Sequence, residues 1–114
     1  MRPDERDTAY LWDMLEAGRE IIQFMAGTDQ AGFAGEKTLR YAVERQLLVI
    51  GEAANHVSPV FRQSHPEVPW TAVIGLRNLL AHEYGEVLVD RIWFTATEKV
   101  PELVSLLEPL VPQT

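Results

Sequence analysis

A chain of 114 residues, 46% of them hydrophobic, can form one hydrophobic core, and we expect residues 1–114 to fold as a single domain. The lack of cysteine excludes disulfides and thiolate metal sites, and no apolar run approaches the roughly 20 residues of a transmembrane helix. The net charge of −7 argues against a general nucleic-acid coat, because phosphate binding depends largely on Lys and Arg.

The charge is unevenly distributed along the chain. Residues 37–82 carry five Lys or Arg against three acidic residues, whereas the segments before and after them are acidic. This pattern allows a small basic cleft on an acidic body, but not a broad basic face. The first seven residues are polar and lack the apolar core of a signal peptide, so we expect a cytoplasmic protein.

The first predicted element is an amphipathic helix. We expect Asp7 or Thr8 to cap its N-terminus and Gly27 to end it. Its apolar positions recur at spacings of three and four residues, and they are Leu11, Met14, Leu15, Gly18, Ile22 and Met25. The stretch from Gln30 to Gly35 is then expected to be a loop or a single turn that Phe33 anchors.

A second long helix is predicted from about Glu36 or Thr38 to Val57. The small residues within it, Gly51 above all, indicate close packing against a neighbouring helix. Ser58 followed by Pro59 has the pattern of an N-cap and first turn, which predicts a short helix over Pro59–Ser64. The two prolines in residues 65–69 then favour a non-helical joint.

Two further helices complete the prediction. One runs from about Pro69 or Trp70 to Tyr84 and stops at Gly85. The last begins at about Val89, and Pro101 should kink or break it because proline has no N–H to donate. No segment alternates like a β-strand, so the predicted fold is an all-α, up-down bundle of four or five helices.

One helix concentrates the chemically active side chains, which are Arg77, Asn78, His82 and Tyr84. On a continuous helix Asn78 and His82 share a face, and Arg77 lies two turns from Tyr84 and nearly in line with it. Arg77 and His82 are about 140° apart around the axis, so a single helix does not bring their tips together. A second copy packed across a two-fold axis could bring both residues into one cleft, which predicts a homodimer.

Residues 77–84 read Arg77-Asn78-x-x-Ala81-His82-x-Tyr84, which resembles the signature of HEPN domains and of the HepT toxins in particular. The resemblance covers roughly residues 8–107 in one register. The further matching segments are Asp13–Ala17, Ile50–Ala54, His65–Trp70, Ile74–Asn78 and Trp93–Leu103 with its Glu98 and Pro101.

The resemblance implies a homodimeric, metal-independent ribonuclease toxin without a cofactor, in which Arg77 and His82 of both chains line the cleft. It also implies a partner, a minimal nucleotidyltransferase antitoxin of the MntA type, which silences the toxin by adding AMP to Tyr84. The residue types suit this activity. Histidine can transfer a proton near neutral pH, a guanidinium can stabilise charge on phosphoryl oxygens, and Asn78 could orient the imidazole or bind phosphate.

Other interpretations of these residues remain open. His82 could interact with free carbonyl groups at its helix end, and Arg77 could form an ion pair with Glu83 or with an acid on another helix. Glu52 could pair with Arg77 or help to hold His82. The alternative function is a non-catalytic HEPN subunit that binds nucleotide or substrate and partners a minimal nucleotidyltransferase. His56 and His65 lack the spacing of metal ligands, so we expect no zinc site.

Overall fold

The computed structural model describes residues 3–112, and the regular structure within this range is entirely helical. Eight α-helices follow one another, namely α1 (Glu5–Met25), α2 (Gln30–Gly35), α3 (Lys37–His56), α4 (Pro59–Ser64), α5 (Trp70–Ile74), α6 (Leu76–His82), α7 (Gly85–Phe94) and α8 (Val100–Leu107). The predicted all-α architecture is confirmed. In this part of the chain no helix is long and apolar enough to cross a membrane.

The N-terminus of α1 differs from the prediction. Asp4 is the N-cap, and its Oδ1 accepts a hydrogen bond of 2.7 Å from the backbone N–H of Asp7. The prediction that Asp7 or Thr8 caps the helix is therefore wrong. The Asp7 side chain is instead 5% exposed, and it accepts hydrogen bonds from the backbone N–H of Ser58 (2.8 Å) and from the Ser58 hydroxyl (2.7 Å). This carboxylate joins the first turn of α1 to the start of α4.

The buried face of α1 follows the predicted period with one correction. Ile21 is fully buried, whereas Ile22, which the pattern predicts in the core, is exposed. The stripe passes through residues 11, 14, 18, 21 and 25, which keeps closest to the helical repeat over about four turns. The end of α1 is as predicted, because Gly27 follows its C-cap with φ of 73°.

α3 is the central helix of the bundle. It packs against α1 on one side and against α5 and α6 on another. Its fully buried apolar residues, Val43, Leu47, Ile50 and Ala54, form much of the core. Phe33 of α2 is also fully buried, with its ring centroid 5.7 Å from that of Trp93, so its predicted anchoring role is confirmed.

The predicted helix from Pro69 or Trp70 to Tyr84 is two helices, α5 and α6, separated by Gly75. The backbone N–H groups of Asn78 and Leu79 both donate to the carbonyl of Gly75, at 3.1 Å each. This shared acceptor marks a local tightening of the helix. Gly75 itself keeps helical dihedral angles, with φ of −62° and ψ of −15°, and its N–H donates to the carbonyl of Thr71 at 2.9 Å.

The turn after α6 also differs from the prediction. α6 ends at His82, Glu83 and Tyr84 are extended, and Gly85 with φ of 64° begins α7. Gly85 therefore starts a helix four residues before the predicted start at Val89. It does so because its positive φ lets the chain turn directly into α7.

The effect of Pro101 is a widened turn. A π-helical segment, Thr95–Lys99, joins α7 to α8, and the N–H of Val100 donates to the carbonyl of Thr95. α8 then begins with Pro101 in its first turn, where the missing N–H is tolerated. The α-helical hydrogen-bond pattern is thus interrupted before Pro101, while the chain stays helical through the proline.

Candidate functional site

The candidate site lies on α6 and on the turn that follows it. Asn78 and His82 are four residues apart within α6, and both are exposed. They share a face of the helix, as the sequence predicts. Tyr84 lies beyond the helix with φ of −140° and ψ of 163°, and it is 78% exposed. The expectation that Arg77 and Tyr84 lie in line on one helix is therefore wrong, because the helix ends two residues before Tyr84.

Arg77 points away from the exposed face of α6 and towards α3. Its side chain is 36% exposed, and its Nη1 lies 3.7 Å from the Oε1 of Glu52. Its Nε donates to the carbonyl oxygen of Ile74 at 3.4 Å. Arg77 was expected to pair with Glu83 or with an acid on another helix, and it pairs with Glu52 of α3. Glu83 instead lies 3.6 Å from Arg91.

Gly51 leaves room for the Arg77 side chain against α3. A Cβ at residue 51 would lie 3.0 Å from the Cγ of Arg77 and 3.3 Å from the carbonyl oxygen of Val73. The predicted close packing at Gly51 is thus confirmed, and the neighbouring element is the junction of α5 and α6. Gly51 and Glu52 are adjacent on α3, so one turn of α3 both supports the backbone near Arg77 and provides its ionic partner.

Within one chain, Arg77 and His82 lie on different sides of α6. They are five positions apart along the helix, which places them about 140° apart around the axis of α6. Among the residues described, no hydrogen bond or ion pair joins the guanidinium to His82. A site that a second chain completes would bring both groups to one phosphate.

A groove of about 630 Å³ lies beside α6, between the α5–α6 pair and the segment from α7 to α8. Its walls are mainly apolar, with Leu76, Leu79, Leu103 and Leu106 among them. Charged residues of both signs also line it, namely Glu67, Arg91, Lys99 and Glu102. Neither Arg77 nor His82 lines the groove, so its chemistry is apolar contact and not proton transfer.

Large apolar side chains are exposed on α7. Val87 is exposed on α7, and Phe94 is exposed at the end of α7, where it lines the groove.

Glu67 at the groove has a pKa below the usual value, first because a backbone N–H hydrogen-bonds to its carboxylate and then because the His65 ring lies 3.2 Å from it.

The remaining histidines have aromatic neighbours. The ring of His56 stacks on that of Tyr10 with 5.1 Å between centroids and 20° between planes. The ring centroids of His65 and Phe61 are 4.4 Å apart. Within residues 3–112, no group of three His, Asp or Glu side chains is arranged to hold a metal ion. The Tyr10–His56 stack has no counterpart in the sequence patterns, because it depends on how α1 and α3 pack.

Comparisons with known proteins agree with the motif. A family model described as ribonuclease HepT-like matches residues 14–110. The chain is 38% identical over 100 residues to a protein of Methanocaldococcus jannaschii that is provisionally named an RNase, covering 88% of this chain and 92% of that protein.

Two further relatives have similar coverage. The chain is 36% identical over 101 residues to a protein of Thermococcus cleftensis named a probable ribonuclease HepT, with 89% of this chain and 92% of that protein covered. It is 35% identical over 94 residues to a provisionally named RNase of Caldanaerobacter subterraneus, with 82% of this chain and 84% of that protein covered. No solved structure matches the chain significantly.

Proposed function

The chain belongs to the HepT-like ribonuclease family, and we propose that it is an endoribonuclease toxin that works without a metal ion. The observation that carries this proposal is the arrangement on α6, where an exposed His82 and a guanidinium 3.7 Å from the carboxylate of Glu52 lie on one short helix. Both side chains are of the types that RNA cleavage needs. Neither belongs to the apolar core.

The reaction follows from the substrate, because RNA carries its own nucleophile. The 2′-hydroxyl oxygen bonds to the adjacent phosphorus, and the bond from phosphorus to the 5′-oxygen breaks. The products are a 2′,3′-cyclic phosphate and a free 5′-hydroxyl. We assign to His82 the transfer of the proton from the attacking or to the leaving oxygen, and to Arg77 the stabilisation of charge on the phosphoryl oxygens. Asn78, one turn from His82, binds phosphate or orients the imidazole.

The proposed active form is a homodimer in which Arg77 of one chain and His82 of the other act on one phosphate. The divergent directions of these two side chains in a single chain support this pairing. Phe94, which is exposed and lines the groove beside α6, and the exposed Val87 of α7 give a second chain apolar surface to bury. The groove beside them carries two basic and two acidic residues, which suits a self-complementary contact between identical chains.

Mixed dimers test this arrangement. Arg77→Ala and His82→Ala chains, each with a different affinity tag, are co-expressed and purified through both tags in sequence. Each variant alone is expected to be inactive, whereas the mixed dimer keeps one intact pair out of two. We therefore expect about half of the wild-type rate per dimer, since a two-fold symmetric dimer has two equivalent sites. A mixed dimer as inactive as its parents contradicts the cross-chain pairing.

We further propose that a nucleotidyltransferase of the MntA type transfers AMP to Tyr84. The phenolic oxygen bonds to the α-phosphorus of ATP, pyrophosphate leaves, and the phenolic proton passes to a base of the transferase or to water. The 78% exposure of Tyr84 and its extended backbone support this proposal, because a partner enzyme can reach the hydroxyl. The added phosphate and adenine introduce negative charge and bulk next to α6, which opposes binding of RNA.

Tyr84→Phe is expected to escape this modification, because it removes the accepting oxygen and keeps the ring. Co-expression with the transferase should add one or more AMP groups to the wild-type chain and none to the variant, as intact-protein mass spectrometry measures. Tyr41→Phe is the matched control, since Tyr41 is also well exposed, at 60%. Equal modification of the Tyr84→Phe chain places the accepting group elsewhere.

A further inference from the structure

α3 has an outward face that the core does not use. Tyr41, Arg45, Glu52 and His56 are exposed, and the repeat of the helix places them within about 60° of one another around its axis. The face runs between α1 and the α5–α6 pair, because α3 packs against both. We call this face, together with Tyr10 of α1, the α3 furrow.

One end of the α3 furrow is an aromatic stack with polar neighbours. A shallow pocket of about 210 Å³ is lined there by Tyr10 and Asp13 of α1 and by Arg45, Glu52 and His56 of α3. The rings of Tyr10 and His56, which stack on each other, both line this pocket. The other end carries Tyr41, whose ring is 60% exposed although it is a large aromatic side chain.

The α3 furrow reaches the candidate catalytic site. Glu52 lines the pocket, and its carboxylate is 3.7 Å from the guanidinium of Arg77. A strand that places a phosphate at Arg77 can therefore continue along α3 in either direction. From Tyr41 to His56 the helix rises about 22 Å, which is longer than a dinucleotide.

We propose that the α3 furrow binds the single-stranded RNA that flanks the cleaved bond, an inference that rests on the proposed ribonuclease function. Unpaired bases stack on Tyr41 and on the Tyr10–His56 pair, and Arg45 contacts a phosphate between them. Aromatic side chains interleaved with a cation are the recurrent surface for single strands, because every base has a face that can stack.

The charges of the α3 furrow favour this ligand over a duplex. Arg45 and Arg77 are balanced by Asp13 and Glu52, so the surface offers little net attraction to the phosphates of a double helix. A duplex also hides its base faces from Tyr41 and Tyr10. The carboxylates can accept hydrogen bonds from the amino groups of unpaired bases. Stacking and base contacts, and not net charge, thus carry the binding.

The test compares substrates of two lengths. The rate of cleavage is measured on a dinucleotide and on a 12-nucleotide single strand for Tyr41→Ala, Arg45→Ala and the double variant. The ratio of kcat/KM for the 12-mer to that for the dinucleotide is expected to fall about 5- to 100-fold for Tyr41→Ala, by the usual effect of losing one stacked base. Ile22→Ala, which changes an exposed side chain of α1, and Arg19→Ala, which removes an α1 side chain paired with Glu108, lie outside the furrow and should leave the ratio unchanged.

The outcomes separate this inference from the proposed function. An unchanged ratio in an active wild-type enzyme overturns the α3 furrow and leaves the ribonuclease intact. If the wild-type protein cleaves no RNA, fluorescence anisotropy with the labelled 12-mer decides. If the wild-type protein binds the 12-mer and the Tyr41 and Arg45 variants bind it more weakly, the RNA-binding role of the α3 furrow is supported and the proposed ribonuclease function is contradicted. No binding by the wild type, or an equal loss for a 12-base-pair duplex, overturns the furrow as a site for single strands.

Discussion

His82→Ala is expected to lower the rate of RNA cleavage by about 100- to 10,000-fold, the usual contribution of a proton-transferring side chain. The imidazole is exposed on α6 and has no place in the hydrophobic core, so its removal should leave the fold intact. The measurement is single-turnover cleavage of a labelled single-stranded RNA, with the 2′,3′-cyclic phosphate product identified by mass spectrometry.

His82→Gln is the matched variant for this test. Glutamine keeps a polar side chain that can hydrogen-bond, but its amide does not accept or release a proton near neutral pH. We expect it to be nearly as inactive as His82→Ala. If His82→Gln retains most of the wild-type rate, the residue binds RNA and does not transfer a proton. The non-catalytic subunit that partners a nucleotidyltransferase then becomes the better description.

The same substitution connects the chemistry to the effect on cells. Expression of the wild-type chain without its proposed antitoxin should stop growth and fragment cellular RNA, and expression of His82→Ala should do neither. Growth arrest by both proteins with intact RNA points to a toxic effect other than cleavage.

The positions of the long helices could be predicted because burial follows the helical period. Leu11, Met14 and Leu15 in α1 are fully buried as the spacing requires. The break at Gly75 could not be predicted, because the apolar period continues across it and a glycine inside a helix costs only about 1 kcal/mol. Gly85 was equally ambiguous, since a glycine with positive φ can follow one helix or begin the next.

The candidate site was predictable as a set of residues but not as an arrangement. Helical spacing alone indicates that Arg77 and His82 diverge, and the structure keeps that divergence within α6. The partner of Arg77 depends on packing between helices 25 residues apart in sequence, so spacing could not choose between Glu52 and Glu83. The change of direction at Tyr84 follows from the early end of α6, which no local pattern marks.

The carboxylate of Asp7 provides the clearest test of the fold itself. Among the residues described it is the one buried charged side chain, and it accepts two hydrogen bonds from Ser58. The Ser58 hydroxyl in turn accepts from the N–H of Phe61 at 3.2 Å and so caps α4. Asp7 thus links the first turn of α1 to Ser58, which begins α4 shortly after α3 ends.

Asp7→Ala is expected to lower the free energy of unfolding by about 2–4 kcal/mol, because it leaves the N–H and hydroxyl of Ser58 without their charged acceptor in a buried place. At this chain length 1 kcal/mol corresponds to roughly 4 °C in Tm, so the shift should exceed that of most surface substitutions. Urea unfolding followed by circular dichroism measures both the free energy and its denaturant dependence.

Asp4→Ala is the comparison, since Asp4 lies one turn earlier on the same helix, is exposed and makes a single capping hydrogen bond. Its loss should cost about 1 kcal/mol. Ser58→Ala combined with Asp7→Ala should cost less than the two single changes added together, because the partners share the same hydrogen bonds. If Asp7→Ala costs no more than Asp4→Ala, water replaces the carboxylate and the α1–α4 link contributes little to stability. If the double variant is additive, the two residues stabilise the fold independently and the link is not the source of the effect.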